Sequence, residues 1–156
     1  MTDFQVNVIV DSAALQDVLS RLFDFGEDQS VAMADIAEGW MHRTQDRFDT
    51  QRAPDGSAWA PLSEKYKQRK RRAGYPETLL YMEGRLRNEL RPDYGPDFAA
   101  VATAPLPYAA LHQFGGTSGM APGPAAVPAR PYLGASPEDL AWMEKTLAGY
   151  LRRLAG

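Results

Sequence analysis

The sequence contains no cysteine and only two histidines among its 156 residues. Without cysteine there is no thiolate nucleophile, no disulfide framework and no thiolate zinc site. His42 and His112 lie far apart and in no ligand-like spacing, so a histidine-rich metal site is excluded as well. No apolar run reaches the roughly 18 residues a membrane span needs. The opening Met1-Thr2-Asp3-Phe4 lacks the basic start and apolar stretch of a signal peptide, and a cytoplasm-like compartment is expected. Gly-x-Ser-x-Gly, a phosphate loop and a dinucleotide fingerprint are all missing.

What is present is unevenly distributed. Thirteen glycines and twelve prolines cluster after Ala53, so the second half should be looser than the first. The net charge of −3 conceals a polarity. Residues 1–50 hold ten acids and three bases; residues 51–100 hold ten bases and seven acids. A chain polarised in this way can present an acidic face and a basic face to copies of itself or to charged partners. The length suits one domain, expected over residues 1–156, with enough chain to bury a core unaided.

Hydrophobic spacing gives the coarse architecture. Phe4 to Val10 alternates apolar and polar residues and predicts a half-buried strand. Leu15, Val18, Leu19, Leu22 and Phe23 predict a helix over about 12–24, with Asp11-Ser12 supplying its N-cap oxygen. Met33, Ala37, Trp40, Met41, Thr44 and Phe48 form the stripe of a second helix running to about Thr50, with Arg43, Asp46, Arg47 and Asp49 mostly off it. Pro54-Asp55-Gly56 is a turn. Ser63 caps a basic helix to about Ala73, and Thr78 to Leu90 returns to helical spacing. Pro92 to Pro96 reads as a turn, Phe98 to Thr103 as a short strand, and Tyr108 to Phe114 as one or two helical turns. Gly115 to Val127 reads as a mobile loop, and Pro128 to Gly134 is extended by its prolines. Ser136-Pro137-Glu138-Asp139 opens a C-terminal helix. The predicted class is therefore α+β: an N-terminal strand, two long amphipathic helices, a small mostly antiparallel sheet, a long Gly/Pro-rich loop and a C-terminal helix.

No arrangement of residues supplies catalysis. Asp11 with Asp17, and Asp46 with Asp49, have nothing apolar around them to shift a carboxyl pKa, and read as surface groups. His112 with Ser118 or Ser136 has no nucleophile elbow; before Gly115 it reads as a helix C-terminus. No enzyme activity, metal or cofactor is expected. Two features suit binding instead. In Lys65 to Arg72, six of eight residues are basic: Lys65, Lys67, Arg69, Lys70, Arg71 and Arg72. They are candidates for facing DNA phosphates or an acidic partner, the alternative being a solvated helix. Trp59, Arg130 and Tyr132 stand in rigid proline-bound loops and, with His112, Gln113 and Phe114, are candidates for a subunit or partner interface. The competing reading places Trp59 in the core and makes Arg130 a buried cation holding loop carbonyls.

The order of motifs resembles a known family. Phe-x-Val-x-Val leads into two helices, and Arg47-Phe48 precedes Pro54-Asp55-Gly56-x-x-Trp59-Ala60-Pro61-Leu62-Ser63. A Lys/Arg-rich helix follows, then Leu79-Leu80-x-x-x-Gly84-Arg85-Leu86-Arg87. Tyr108 to Gly116 and Pro128 to Gly134 complete the series. Together these resemble the phage virion morphogenesis, or tail completion, family of Mu-like and contractile-tailed phages. The resemblance implies a non-enzymatic assembly protein at the head–tail junction, as tail completion factor, tail terminator or neck component. It implies a ring, often sixfold, in which the chain partners itself and the tail tube, terminator or neck proteins, with DNA passing through and no membrane. Virion and, during assembly, host cytoplasm are the implied locations. Tyr81-Met82-Glu83 departs from the Ser/Thr-rich approach expected before Gly84-Arg85.

Overall fold

Ser12 accepts a hydrogen bond from the backbone N–H of Leu15 and starts the first helix, α1 (Ala13–Phe23). The second helix, α2 (Ser30–Thr50), ends where Gln51 takes the left-handed conformation at φ 57°. The third, α3 (Glu64–Arg72), is capped by Ser63, whose hydroxyl accepts from Tyr66 N–H. A single turn, α4 (Arg85–Asn88), precedes a hairpin of β1 (Arg91–Tyr94) and β2 (Ala99–Ala102). Helices α5 (Ala109–Phe114) and α6 (Pro137–Ala155) follow. These belong to a computed structural model that describes residues 12–81, 84–103, 105–106, 108–116 and 127–156. The predicted strand over residues 4–10 and the interior of the predicted 115–127 loop lie outside the described residues. The class is α+β, as the spacing predicts.

Helix α2 passes through two apolar clusters. Its first half packs Ala32, Met33 and Ile36 against Leu22 of α1 and Met143 and Leu147 of α6. Its last turns deliver Phe48 to a second cluster with Trp59, Leu79, Leu86, Leu90, Ala109 and Tyr132. Fully burying each large apolar side chain contributes on the order of 1.5–3 kcal/mol. In the first cluster α2 and α6 come unusually close at Gly39. A β-carbon there would lie 2.3 Å from the Trp142 ring, so only glycine leaves room for the indole.

Two expectations need correction. Within Thr78–Leu90, helix forms only over Arg85–Asn88 among the described residues. Leu80 and Gly84 both adopt positive φ, 53° and 74°, which breaks a right-handed helix. Leu79, Leu86 and Leu90 still reach the core, so their helical spacing reflects burial rather than helix. Pro92 to Pro96 is also not simply a turn. Arg91–Tyr94 pairs antiparallel with Ala99–Ala102, Pro92 opposite Val101, and the reversal is carried by residues 95–98. Proline's fixed φ is compatible with a strand, and its missing N–H costs only one ladder bond.

The two clusters are tied together by a buried ion pair. Arg47, expected off the apolar stripe of α2, is 7% exposed and pairs with Asp139, itself 3% exposed. Asp139 also completes a capping box at the start of α6: it accepts from Ser136 N–H at 3.0 Å, and Ser136 Oγ accepts from Asp139 N–H at 3.0 Å. Arg43 reaches the same carboxylate at 3.3 Å while its guanidinium stacks 4.7 Å above Trp142. Burial pushes the Arg47 pKa down, and the Asp139 carboxylate opposes that shift. Removing one partner of a buried pair leaves an uncompensated charge, which typically costs 3–5 kcal/mol. Asp139→Ala should therefore destabilise the chain by about 3–5 kcal/mol in urea unfolding. Ser136→Ala, which removes only the cap, should cost about 1 kcal/mol. Equal losses for the two variants would show that the ion pair is not the anchor.

Candidate interaction site

The segment 130–134 crosses the molecule as an extended strap, and most of the sequence motifs converge on it. Arg47 Nη1 donates to the carbonyls of Tyr132 (2.9 Å) and Gly134 (3.0 Å). Trp40 Nε1 donates to Gly134 O at 2.9 Å, and Trp59 Nε1 to Pro131 O at 2.7 Å. Gln113 acts as a clamp: its Oε1 accepts from the N–H groups of Tyr132 (3.0 Å) and Leu133 (2.9 Å), and its Nε2 donates to Leu133 O at 3.1 Å. Arg130 N–H donates to His112 O at 2.7 Å. An extended strap cannot satisfy its own backbone groups, and these side chains do so for it.

This layer settles where the predicted interface residues lie. Trp59, Gln113, Arg130 and Tyr132 are all buried within the chain's own fold. Trp59 packs edge-on to Phe48 at 5.5 Å, and Phe48 also meets Tyr132 at 5.4 Å. Burial raises the Tyr132 phenol pKa, and its hydroxyl donates to Ala109 O at 3.3 Å. Arg130 is the carbonyl-holding cation: Nε donates to Ala60 O at 2.7 Å and Nη2 to Pro61 O at 3.1 Å. Phe114 stands apart, 62% exposed at the end of α5. Gly115 ends that helix at φ 77°, and Gly116 N–H donates to Val127 O at 2.9 Å.

The basic helix divides by face. Lys70 points inward, 3% exposed, and its Nζ donates to Thr78 O (2.8 Å) and Tyr81 O (2.6 Å). It thereby holds the irregular 78–81 segment. Lys67 pairs with Glu64 at 2.9 Å, and Arg71 pairs with Glu77. Lys65, Arg69 and Arg72 are exposed and have no carboxylate partner among the described residues. Spaced i, i+4, i+7, they form one outward stripe.

Between α3, the 78–86 segment and the strap lies a cleft of about 840 Å³. Tyr66, Tyr81 and Tyr108 line it over an apolar floor that includes Leu62, Leu80 and Leu86. Lys70, Arg85 and Arg130 supply its charge, and no carboxylate lines it among the described residues. Burial, followed by the Arg130 charge, pushes the His112 pKa down to about 4, so the imidazole is neutral near pH 7. Its ring meets Tyr108 edge-on at 5.9 Å, and its buried Nδ1 has no partner among the described residues. No group of His, Asp or Glu among the described residues could hold a metal. Reasoning from sequence missed Arg47, Asp139 and the inward turn of Lys70. The adjacency of Arg47 to Phe48 and the Ser-Pro-Glu-Asp cap were the available signals for the first two; Lys70 had none inside a run of like charges.

The unfolded chain would bind a proton at His112 near pH 6.5, whereas the folded chain resists until about pH 4. The stability that His112 contributes is thus complete above 6.5 and lost as pH falls toward 4. Between pH 7 and pH 5 the loss should be roughly 2 kcal/mol, and His112→Gln should flatten that part of the profile in urea melts at several pH values.

Comparison with known proteins adds to this geometry. Residues 10–152 match the model of the phage virion morphogenesis family. The chain is 37% identical over 131 residues to "Putative capsid assembly protein G" of Escherichia phage Mu, covering 83% of each chain. It is 27% identical over 146 residues to "Mu-like prophage FluMu G protein 1" of Haemophilus influenzae, covering 92% of this chain and 93% of that one. No solved structure matches.

Proposed function

The chain belongs to the phage virion morphogenesis family, and from that premise we propose that it is a structural assembly protein of the head–tail junction that works as a ring. Three features support this reading. The side chains with chemical potential are used inside the fold: Arg47, Lys70, Arg130 and Gln113 all hold backbone carbonyls or a carboxylate. The apolar and charged surfaces that remain differ from one end of α2 to the other. Unlike patches on one molecule favour heterologous contacts, which close into rings when the rotation allows. The chain performs no catalysis and takes no cofactor; it joins tail to head as tail completion factor, terminator or neck component, within the virion and, before that, in the host cytoplasm.

The observation that carries the reading is the family match over nearly the whole chain, combined with Arg47, Lys70, Arg130 and Gln113 spent on the chain's own backbone. Native mass spectrometry and negative-stain microscopy of the full chain, alone and with tail components, should show closed rings, sixfold by expectation. A protein that stays monomeric under every one of these conditions overturns the ring.

A second reading rests on the stripe of Lys65, Arg69 and Arg72, three exposed cations along one face with no carboxylate partner among the described residues. Such a stripe suits phosphate contacts with DNA passing the ring. Neutralising all three to Gln should reduce the slope of log K against log salt by about 2–3, near the 0.9 per contact expected for duplex DNA. No measurable DNA binding at low salt removes this reading and leaves the structural one in place.

A further inference from the structure

The α1–α2 corner projects an exposed apolar and acidic knob. Phe25 is 42% exposed and Val31 69% exposed. Asp24, Glu27 and Asp28 surround them, also exposed, with no cation paired to them among the described residues. Gly26 takes φ 68° at the tip, and Asp28 accepts from both Ser30 N–H (2.8 Å) and Ser30 Oγ (2.5 Å), which fixes the corner and lowers its carboxyl pKa. The knob is therefore a shaped feature rich in carboxylates rather than a frayed turn.

The cleft has the opposite character. Tyr66, Tyr81 and Tyr108 are each more than a third exposed, and Lys70 and Arg130 bring cations to an apolar floor, with Arg85 beside them paired to Glu89 at 2.7 Å. Lys70 and Arg130 direct their N–H donors to carbonyls, not carboxylates, so neither is neutralised by an ion pair among the described residues. The two features stand at opposite ends of one rigid element. The knob sits at the first turn of α2, and the cleft borders the cluster that receives Phe48 from its last turn. Twenty-one residues of helix separate the two ends, about 30 Å at 1.5 Å per residue. The knob cannot fold back into its own cleft across that span.

We propose that the cleft receives the Phe25–Val31 knob of a second copy of this chain, so that copies join head to tail. Aromatic and aliphatic anchors would enter a tyrosine-lined pocket, and the Asp24, Glu27 and Asp28 carboxylates would meet the cationic walls. The contact is heterologous, since knob and cleft are different surfaces, and repetition of one such contact is what closes a ring. This inference rests on the ring reading above and names its contact. It leaves the outward stripe of α3 free for other partners.

The missing cysteines make the test clean. Phe25→Cys and Tyr108→Cys are made as two separate chains, each carrying a single thiol, then mixed and oxidised. Mixed disulfide dimers should form well above the random share, with few like-with-like dimers. In parallel, Phe25→Ser with Glu27→Lys should weaken self-association at least about tenfold in sedimentation or native mass spectrometry. Both positions are exposed, so circular dichroism and the urea midpoint should match the parent chain. If the parent assembles, the Ser/Lys variant assembles equally well and no mixed dimers form, the knob-to-cleft contact is overturned while the ring reading stands. A parent chain that never assembles overturns both.

Discussion

A buried guanidinium organises this molecule. Arg47 leaves the last turns of α2, takes a carboxylate from the first turn of α6, and holds two carbonyls of the 130–134 strap. A charge this deep is tolerable only when every donor is satisfied, because desolvation of an unpaired ion costs several kcal/mol. The consequence is geometric. The strap, α6 and α2 must all arrive together for any one of them to be stable in place. Trp40, Trp59 and Gln113 then need only add hydrogen bonds to a strap whose path is already set.

Around that anchor the polar residues repeat one pattern. Lys70 holds the 78–81 segment, Arg130 holds Ala60 and Pro61, and Gln113 holds Tyr132 and Leu133. Each is a side chain reaching from a regular element to an irregular one. A chain with so little strand and so many prolines leaves much backbone without secondary-structure partners, and buried backbone groups must be paired somewhere. The same economy occupies Arg47, Lys70, Arg130 and Gln113 with the fold itself. It also fits a family of virion assembly proteins, whose work is to present stable surfaces. A neutral His112 belongs to the same account. An imidazole enclosed beside Arg130 is kept uncharged by its surroundings, whereas a catalytic base would be poised close to neutrality.

Helices α1, α2, α3, α5 and α6 were legible in the sequence because periodicity and caps are local. Ser12, Ser63 and Ser136 each cap the helix that the spacing places after them. The Pro54-Asp55-Gly56 turn likewise carries its own chemistry: Asp55 accepts from Ser57 N–H, and Gly56 takes φ 86°. The 78–90 stretch misled for a physical reason. Its leucines recur at helical intervals because they all serve one core, but a buried lysine on a different helix draws the carbonyls of Thr78 and Tyr81 away from a helical ladder. In the hairpin, Arg91–Tyr94 becomes a strand only through its pairing with Ala99–Ala102.

The sequence by itself determined the helices, the α+β class and the polarity of charge between an acidic first third and a basic middle, because these depend on composition and on neighbours a few residues away. The motif order also carried the family. Only the tertiary structure decided which members of a charged run face inward. Lys65, Arg69 and Arg72 differ from Lys70 in nothing the sequence records, yet one is buried on carbonyls and the others meet solvent. The same holds for Trp59 and Arg130: they are buried because the strap that carries Arg130 arrives beside the 59–61 loop, 70 residues away. Burial is a property of where distant segments meet, and that meeting is fixed by the joint satisfaction of Arg47, the strap and Asp139.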